Sequence, residues 1–394
     1  MANGGYIKSF DGMRALSLLL IMVYHADLAH FTWVAVQLFF VLSGFLITGI
    51  LWKDKFKPTT LGEKFKIFWV RRSLRIFPLY FGYLLVLGGI YFVFHFPSYY
   101  HTYFPYLVSY TFNYSRLVPA WQGNPLFTHL WTLSIEEQFY LLFPLIIFLC
   151  PKRFIKALLP TVIVLAPVIR YFLGEYYKRK GLAPEVVADA LYWNTLSHLD
   201  AFCLGGIIPV LSLDTRIKKP QWVFIGCVTV AFLAGLVNYF FSGSPLSYWD
   251  DYGYNHWLIG NYQHVWHYTC INAVFASLIL VFISVHSTEW FPWLRKIFES
   301  SWLVRMGKVS YGMYVFHWWV LVYVYEHFIT KENVLLKILF FIPYVLTVWL
   351  IAELSYRLYE SYFIKLKDKF YPAKPAKAGI PAATKDLPMV EPGA

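Results

Sequence analysis

The chain reads as an all-α protein, a polytopic membrane helix bundle of about ten transmembrane helices, and three observations predict it. First, of 394 residues 58% are hydrophobic, 21% aromatic and only 14% charged, too few polar groups for a soluble domain to cover its own surface. Second, apolar runs long enough to span a bilayer, about 20 residues each, recur ten times. They lie near residues 12–30, 33–52, 74–96, 128–149, 155–173, 190–212, 221–241, 263–285, 304–329 and 334–358. Third, with the N-terminus on the cytoplasmic side, 27 of the 34 Lys and Arg residues fall in inside segments, the asymmetry that orients membrane proteins. The exceptions are Arg116, Arg170, Lys178, Arg179, Lys180, Lys331 and Lys337.

Each element has a reason. The first run lacks a strongly basic region and a small-residue cleavage site, so it is expected to be a retained helix and not a removed signal peptide. The net charge of +12 is spread between apolar runs; it sets topology and does not indicate a nucleic-acid partner. Both termini and the loop from Lys53 to Lys66 are expected in the cytoplasm of a multi-pass plasma-membrane protein. The aromatic loops from Pro97 to Phe127 and Ser242 to Tyr262, the latter with Asp250, Asp251 and His256, then lie outside, as lids or as interfacial packing. Residues 1–371 form the membrane domain, and 372–394, dominated by Pro, Ala and Lys, read as a disordered cytoplasmic tail. Cys150, Cys203, Cys227 and Cys270 show no paired spacing, so neither a disulfide framework nor a metal site is expected.

The chemistry is expected where charge interrupts the apolar runs. His129-Leu-Trp-Thr-Leu-Ser-Ile-Glu-Glu-Gln-Phe-Tyr-Leu-Leu-Phe-Pro144 puts Glu136 and Glu137 inside a span, where a carboxylate costs roughly 2.5–3.5 kcal/mol and so tends to mark a site. The alternative is an interhelical hydrogen-bond clamp. By helical rise, Glu136 lies roughly 12 Å below the outer surface, His25 roughly 7 Å, His198 and Asp200 roughly 12–15 Å, and His317 roughly 18 Å. Overlapping depths point to one shared polar cavity. His25 is the candidate base, since imidazole accepts a proton near neutral pH and a neighbouring carboxylate can orient it. Asp11 and Arg14 begin the same helix, with Arg14 three turns inward on the approximate face of His25. Successive positions diverge by about 100°, so Glu136 and Glu137 cannot both face His25. Glu136, on an arc with Thr132, Phe139 and Tyr140, is expected to face the cavity and balance His25; Glu137 is expected to bond a neighbouring helix. At the inner start of the third span, Arg72 and Arg75 are helical neighbours suited to phosphate oxygens, against the plainer reading of a positive-inside anchor.

In these stretches the chain resembles the acyltransferase-3 family of membrane proteins, which acylate cell-surface polysaccharides and related acceptors. The resemblance is carried by Phe10-Asp11-Gly12-Met13-Arg14-Ala15 with Tyr24-His25-Ala26, by Gln37-Leu38-Phe39-Phe40-Val41-Leu42-Ser43-Gly44-Phe45-Leu46-Ile47, and by Arg72-Ser73-Leu74-Arg75-Ile76-Phe77-Pro78. It continues through Leu130-Trp131-Thr132-Leu133-Ser134-Ile135-Glu136-Glu137-Gln138-Phe139-Tyr140 and Gly307-Lys308-Val309-Ser310-Tyr311-Gly312-Met313-Tyr314-Val315-Phe316-His317. It implies a ten-helix core, an acyl-CoA co-substrate taken from the cytoplasm, and a catalytic His25. It also implies that Arg14, Arg72 and Arg75 are needed, the last two for donor phosphates. Thr132 stands where the family often has serine and keeps the hydroxyl, while His198 stands where arginine is commoner. No hydrolase-like domain follows the core in this sequence, so completion of transfer is expected from the membrane core or a separate protein.

The resulting expectation is a membrane O-acyltransferase moving an acetyl group from acetyl-CoA to a hydroxyl of a saccharide or glycolipid acceptor in the bilayer or envelope. His25, Glu136 and Glu137 form the catalytic set, and Arg14, Arg72 and Arg75 hold the donor. Asp11, Trp131, Ser310, Tyr311 and His317 contact substrate, and no metal is called for. The competing class is a transporter or flippase for a lipid-linked saccharide, using the same ionisable residues to bind sugar hydroxyls or relay protons; no inverted repeat of the transporter kind is visible.

Overall fold

The computed structural model describes residues 7–241, 251–257, 259–284, 291–326 and 334–370, and among these all regular structure is helical. The tail from Pro372, Asp250 and Lys331 lie outside the described residues. In chain order come α1 (Lys8–His25), a 3₁₀ turn (His30–Val34), α2 (Ala35–Lys55), α3 (Leu61–Phe94), α4 (Tyr100–Val108), α5 (Trp131–Leu149), α6 (Lys152–Arg179), α7 (Pro184–Tyr192), α8 (Leu199–Leu211) and α9 (Leu213–Arg216). There follow α10 (Pro220–Phe241), α11 (Gln263–Ile283), α12 (Pro292–Phe298), α13 (Ser301–Lys308), α14 (Ser310–Val320), α15 (Val334–Ser355) and α16 (Ser361–Phe370).

Seven helices among the described residues are long and apolar enough to cross a membrane. The other three expected spans take shorter or more charged forms. α1 has 18 residues and carries Lys8, Asp11 and Arg14. The sixth span breaks at Asn194, whose side chain accepts from the backbone N–H of Leu196 at 2.9 Å, so α8 proper is only 13 residues long. The ninth divides at Val309 into α13 and α14 and then passes through a π-turn at Leu321–Tyr325.

α3 begins earlier than expected. Thr60 and Glu63 form a capping box, which satisfies two N-terminal backbone donors and nucleates the helix at Leu61. The expected Lys53–Lys66 loop is therefore shorter, and Arg72 and Arg75 sit about three turns inside a 34-residue helix instead of at its start. A helix of that length, about 51 Å, exceeds the roughly 30 Å hydrocarbon core, so it must tilt within the bilayer or extend past it.

α2 is the central helix. Its most apolar stretch is 72% buried, whereas that of α10 is 11% buried, placing α10 on the lipid side. Backbone contact at two points of the α2–α8 crossing draws the centre together. A Cβ on Gly44 of α2 would lie 2.3 Å from the Phe202 carbonyl oxygen, and one on Gly205 of α8 would lie 2.0 Å from that of Val41. α1 is seated in the same way, since a Cβ on Gly307 of α13 would lie 1.9 Å from the Asp11 carbonyl oxygen. Only glycine permits these approaches.

On the far side of α2, α6, α8 and α11 are pinned by a fully buried ion pair. Arg170 Nη1 donates to Asp200 Oδ2 at 3.0 Å and to the Ser197 carbonyl at 2.8 Å. Thr269 Oγ1 and Asn272 Nδ2 also donate to Asp200, at 2.5 and 3.2 Å. A buried pair is tolerable only when its remaining donors and acceptors are met in this way.

Candidate active site

Two chambers lie back to back in the bundle. The first is lined by Arg14 of α1, Phe40 and Ser43 of α2, Arg72 and Arg75 of α3, Thr132, Glu136 and Tyr140 of α5, and Ser310, Tyr311 and Tyr314 of α14. Two of its three cations are held by neighbours. Arg14 Nη1 donates to the buried Asp11 at 2.9 Å, and the Arg72 guanidinium lies 5.0 Å from the Tyr140 ring centroid, in cation–π range. Tyr311 donates to the Ile76 carbonyl at 3.0 Å and Tyr359 to that of Pro78 at 3.2 Å. These bonds tie α3 to α14 and to Tyr359 beside its internal Pro78. Arg72 and Arg75, with Arg71, also line an adjoining vestibule beside Asp54, so the pair faces both spaces.

Glu136 is the carboxyl group of this chamber. It accepts from Ser43 Oγ at 3.1 Å and from Tyr140 Oη at 3.0 Å, and Tyr140 and Ser43 are themselves 3.2 Å apart. Glu137, on the next position of α5, does not line the chamber. Its Oε1 is buried without a hydrogen-bond partner, in the electrostatic range of Tyr80, Tyr110 and Tyr311.

The second chamber is aromatic. His25 at the end of α1 lines it with Tyr24, Asp27, His30, Trp33, Trp121, Trp131, Asp189, Tyr192, Trp193, His256, Trp257 and Trp318 among others. It is the roomier of the two, about 460 Å³ against about 100 Å³. Trp131 and Trp193 stack with their planes 7° apart. Asp27 is paired with Lys337 at 2.6 Å and His30 at 3.0 Å, and Asp189 with Arg116 at 2.6 Å. Burial raises the Asp189 carboxyl above the usual carboxylate range, with Arg116 opposing. Burial also pushes His256, in the loop after α10, down to about 3, so this imidazole is neutral.

Ile21, Val36, Thr132 and Tyr314 line both chambers and form the wall between them. Tyr314 Oη donates to the His129 carbonyl at 2.7 Å. Its proton is therefore spent, and the 2.6 Å contact with Thr132 Oγ1 is one in which threonine donates.

The sequence-predicted residues divide between these spaces. Arg14, Arg72, Arg75, Glu136, Ser310 and Tyr311 come together in the first chamber, His25 and Trp131 in the second. Asp11 lines neither and instead holds Arg14, so its expected substrate contact is replaced by an orienting one. The expected pairing of Glu136 with His25 is not made. The two lie on opposite sides of the wall, and Glu136 spends its oxygens on Ser43 and Tyr140. The ring beside His25 is that of His317, centroids 5.2 Å apart, and His25 also stacks on Trp318 at 4.4 Å. The one shared cavity expected from depth is thus two, because depth along each helix carries no information on facing. His198 and Asp200 reach neither chamber. His198 is bonded to Gln37 and, at 2.6 Å, to the Tyr192 carbonyl, and Asp200 belongs to the Arg170 pair. Ser43, His129 and Tyr314 had no role assigned from sequence, although all three stand in or beside the motif stretches.

A helical membrane bundle with a cationic chamber and a histidine chamber on opposite sides of one wall is the class that fold and site define. The chain belongs to the acyltransferase-3 family, whose acyltransferase-domain model matches residues 7–354. It is similar to O-acetyltransferase OatA of Staphylococcus aureus strains NCTC 8325 and COL, in each case 27% identical over 98% of this chain and 61% of the relative. The curated relatives are longer, and the chain covers only 58% of the length of others. No solved structure matches it.

Proposed function

We propose that this protein is a membrane O-acetyltransferase that accepts an acyl thioester of CoA in the arginine chamber and esterifies a saccharide hydroxyl in the histidine chamber. The observation that carries the reading is the shared wall at Ile21, Val36, Thr132 and Tyr314: two chambers of opposite chemistry abut where an acyl group would have to cross. Arg72 and Arg75 open to both vestibule and chamber, a position suited to donor phosphates with the pantetheine arm reaching inward. The aromatic walls of the second chamber, with Asp27 and Asp189 among them, suit the apolar faces and hydroxyls of a sugar ring. The relatives' O-acetyltransferase activity by name supports an acetyl group as cargo, and the Lys and Arg asymmetry supports its arrival from the cytoplasm.

In this reading His25 takes the proton of the acceptor hydroxyl as its oxygen attacks the thioester carbonyl. The C–S bond breaks, the ester C–O bond forms, and the proton passes to the departing thiolate. An alternative order acylates His25 first. Incubating the purified chain in nanodiscs with [¹⁴C]acetyl-CoA and envelope saccharide fragments tests this. Thioester consumption with label in the saccharide is expected, and a burst equal to the enzyme concentration reports the acyl-histidine route. Absence of both, with saccharide movement across proteoliposomes, would make the protein a transporter. Cysteine-accessibility labelling checks the orientation: the Lys53 loop reacts from the cytoplasmic side and the Pro97–Phe127 segment from outside.

A further inference from the structure

If Glu136 does not orient His25, something else must. A stack such as that on Trp318, 4.4 Å away with planes 26° apart, fixes the plane of an imidazole but not which nitrogen points where, because a half-turn of the ring leaves the plane unchanged. A hydrogen bond is what distinguishes the two nitrogens.

His317 is equipped to make one. It is fully buried, and its Nδ1 lies 2.6 Å from the Tyr314 carbonyl. A carbonyl only accepts, so Nδ1 carries the hydrogen and Nε2 is left as a bare acceptor. That Nε2 is buried and without a partner, a state that costs about 1–3 kcal/mol unless a donor fills it. His129 does not supply the donor. Its Nε2 is occupied by the Val315 carbonyl at 3.1 Å, its Nδ1 is likewise bare and buried, and two bare nitrogens repel. The other rings beside it are Tyr314, whose hydroxyl hydrogen is spent on the His129 carbonyl, and His25, whose centroid is 5.2 Å from that of His317. As the His25 ring stands its nitrogens do not bond that Nε2, and the half-turn about Cβ–Cγ that exchanges its nitrogen and carbon positions is what the bond requires.

We propose that His317 is the positioning residue of His25: its Nε2 accepts the N–H of His25 and thereby turns the unprotonated nitrogen of His25 toward the histidine chamber. The role parallels that of a carboxylate behind a catalytic histidine, with a neutral imidazole in its place, and a wrong tautomer there is costly to the rate. The kinetic consequence rests on the proposed function; the tautomer itself does not.

The test therefore has two arms on the full chain. In the first, ¹⁵N-histidine NMR at pH 8, with the His25 signal assigned by its loss in His25→Ala, reads the tautomer directly. A single His25 tautomer is expected in the wild type and in His317→Gln, whose amide oxygen offers an acceptor at similar reach. A mixture is expected in His317→Leu, and His129→Leu, which removes the other bare nitrogen, should leave one tautomer. In the second arm, His317→Leu lowers kcat about 10²-fold and His317→Gln by less than about 10-fold, with KM for acetyl-CoA unmoved. An unchanged His25 tautomer in His317→Leu, or equal rate losses in the Leu and Gln variants, overturns the proposal. A wild type that consumes no thioester overturns the acyltransferase reading instead, and the NMR arm still decides the role of His317.

Discussion

Thr132 of α5 gives its hydroxyl hydrogen to Tyr314 of α14 across 2.6 Å, at the one place where the arginine and histidine chambers share a wall. Because Tyr314 in turn donates to the His129 carbonyl, removing its hydroxyl takes a partner from both groups and leaves between them the longer 3.4 Å bond from Thr132 to that carbonyl. Tyr314→Phe is expected to cost about 1–3 kcal/mol, read as a lowered thermal midpoint in detergent. Thr132→Ser, which keeps the donor, should melt close to wild type. Equal midpoints for Tyr314→Phe and wild type would show that the chain is not needed to hold α5 against α14.

His25 is expected to be required for chemistry and not for folding. It ends α1 and stacks on Trp318 at the chamber surface, so His25→Ala removes no central packing. Transfer should fall ~10² to 10⁴-fold while the yield of monodisperse protein holds. Loss of activity only in step with loss of folded protein would make the histidine structural.

For the arginines the expected signature is in binding. Arg72→Ala and Arg75→Ala should raise KM for acetyl-CoA more than they lower kcat, because they touch phosphate and not the reacting carbonyl. Lysine should rescue poorly, as it lacks the planar fork. A wild-type KM in both alanine variants would assign the pair to anchoring α3.

The two adjacent carboxylates should differ, for a reason other than the one the sequence suggests. Glu136→Gln keeps the shape but replaces one acceptor oxygen of the Ser43 and Tyr140 bonds and removes the negative charge beside Arg72. It is expected to lower turnover with little loss of folded protein. Glu137→Gln, outside the chamber, should leave turnover nearer wild type. A fully active Glu136→Gln beside a folded but inactive Glu137→Gln would refute this assignment.

The Arg170–Asp200 pair makes a prediction about stability alone. Asp200→Asn leaves a buried guanidinium without its counter-ion, so a loss of about 3–5 kcal/mol is expected, measured by thermal unfolding. The double change Arg170→Met with Asp200→Leu should recover part of it, since no unpaired charge then remains buried. A single variant as stable as wild type would mean the pair is hydrated.

The class of fold and the cast of the site were legible in the residue pattern alone. Apolar run length and the near absence of charge forced membrane helices, and each ionisable residue inside a run stood out because burying it is costly. Helical periodicity also put Glu136 with Thr132 and Tyr140 on one arc, which is the face lining the arginine chamber. Which cast members meet is settled by packing in three dimensions. Glu136 and His25 overlap in depth, yet facing depends on how far each helix is rotated, and that is fixed by glycine crossings such as Gly44 with Phe202 and Gly307 with Asp11, by the capping box that starts α3 at Leu61, and by the break at Val309 that frees α14 to turn His317 toward His25. Depth is a local property, set by rise per residue; rotation and partner choice are set by packing between segments far apart in the chain, which no single helix encodes.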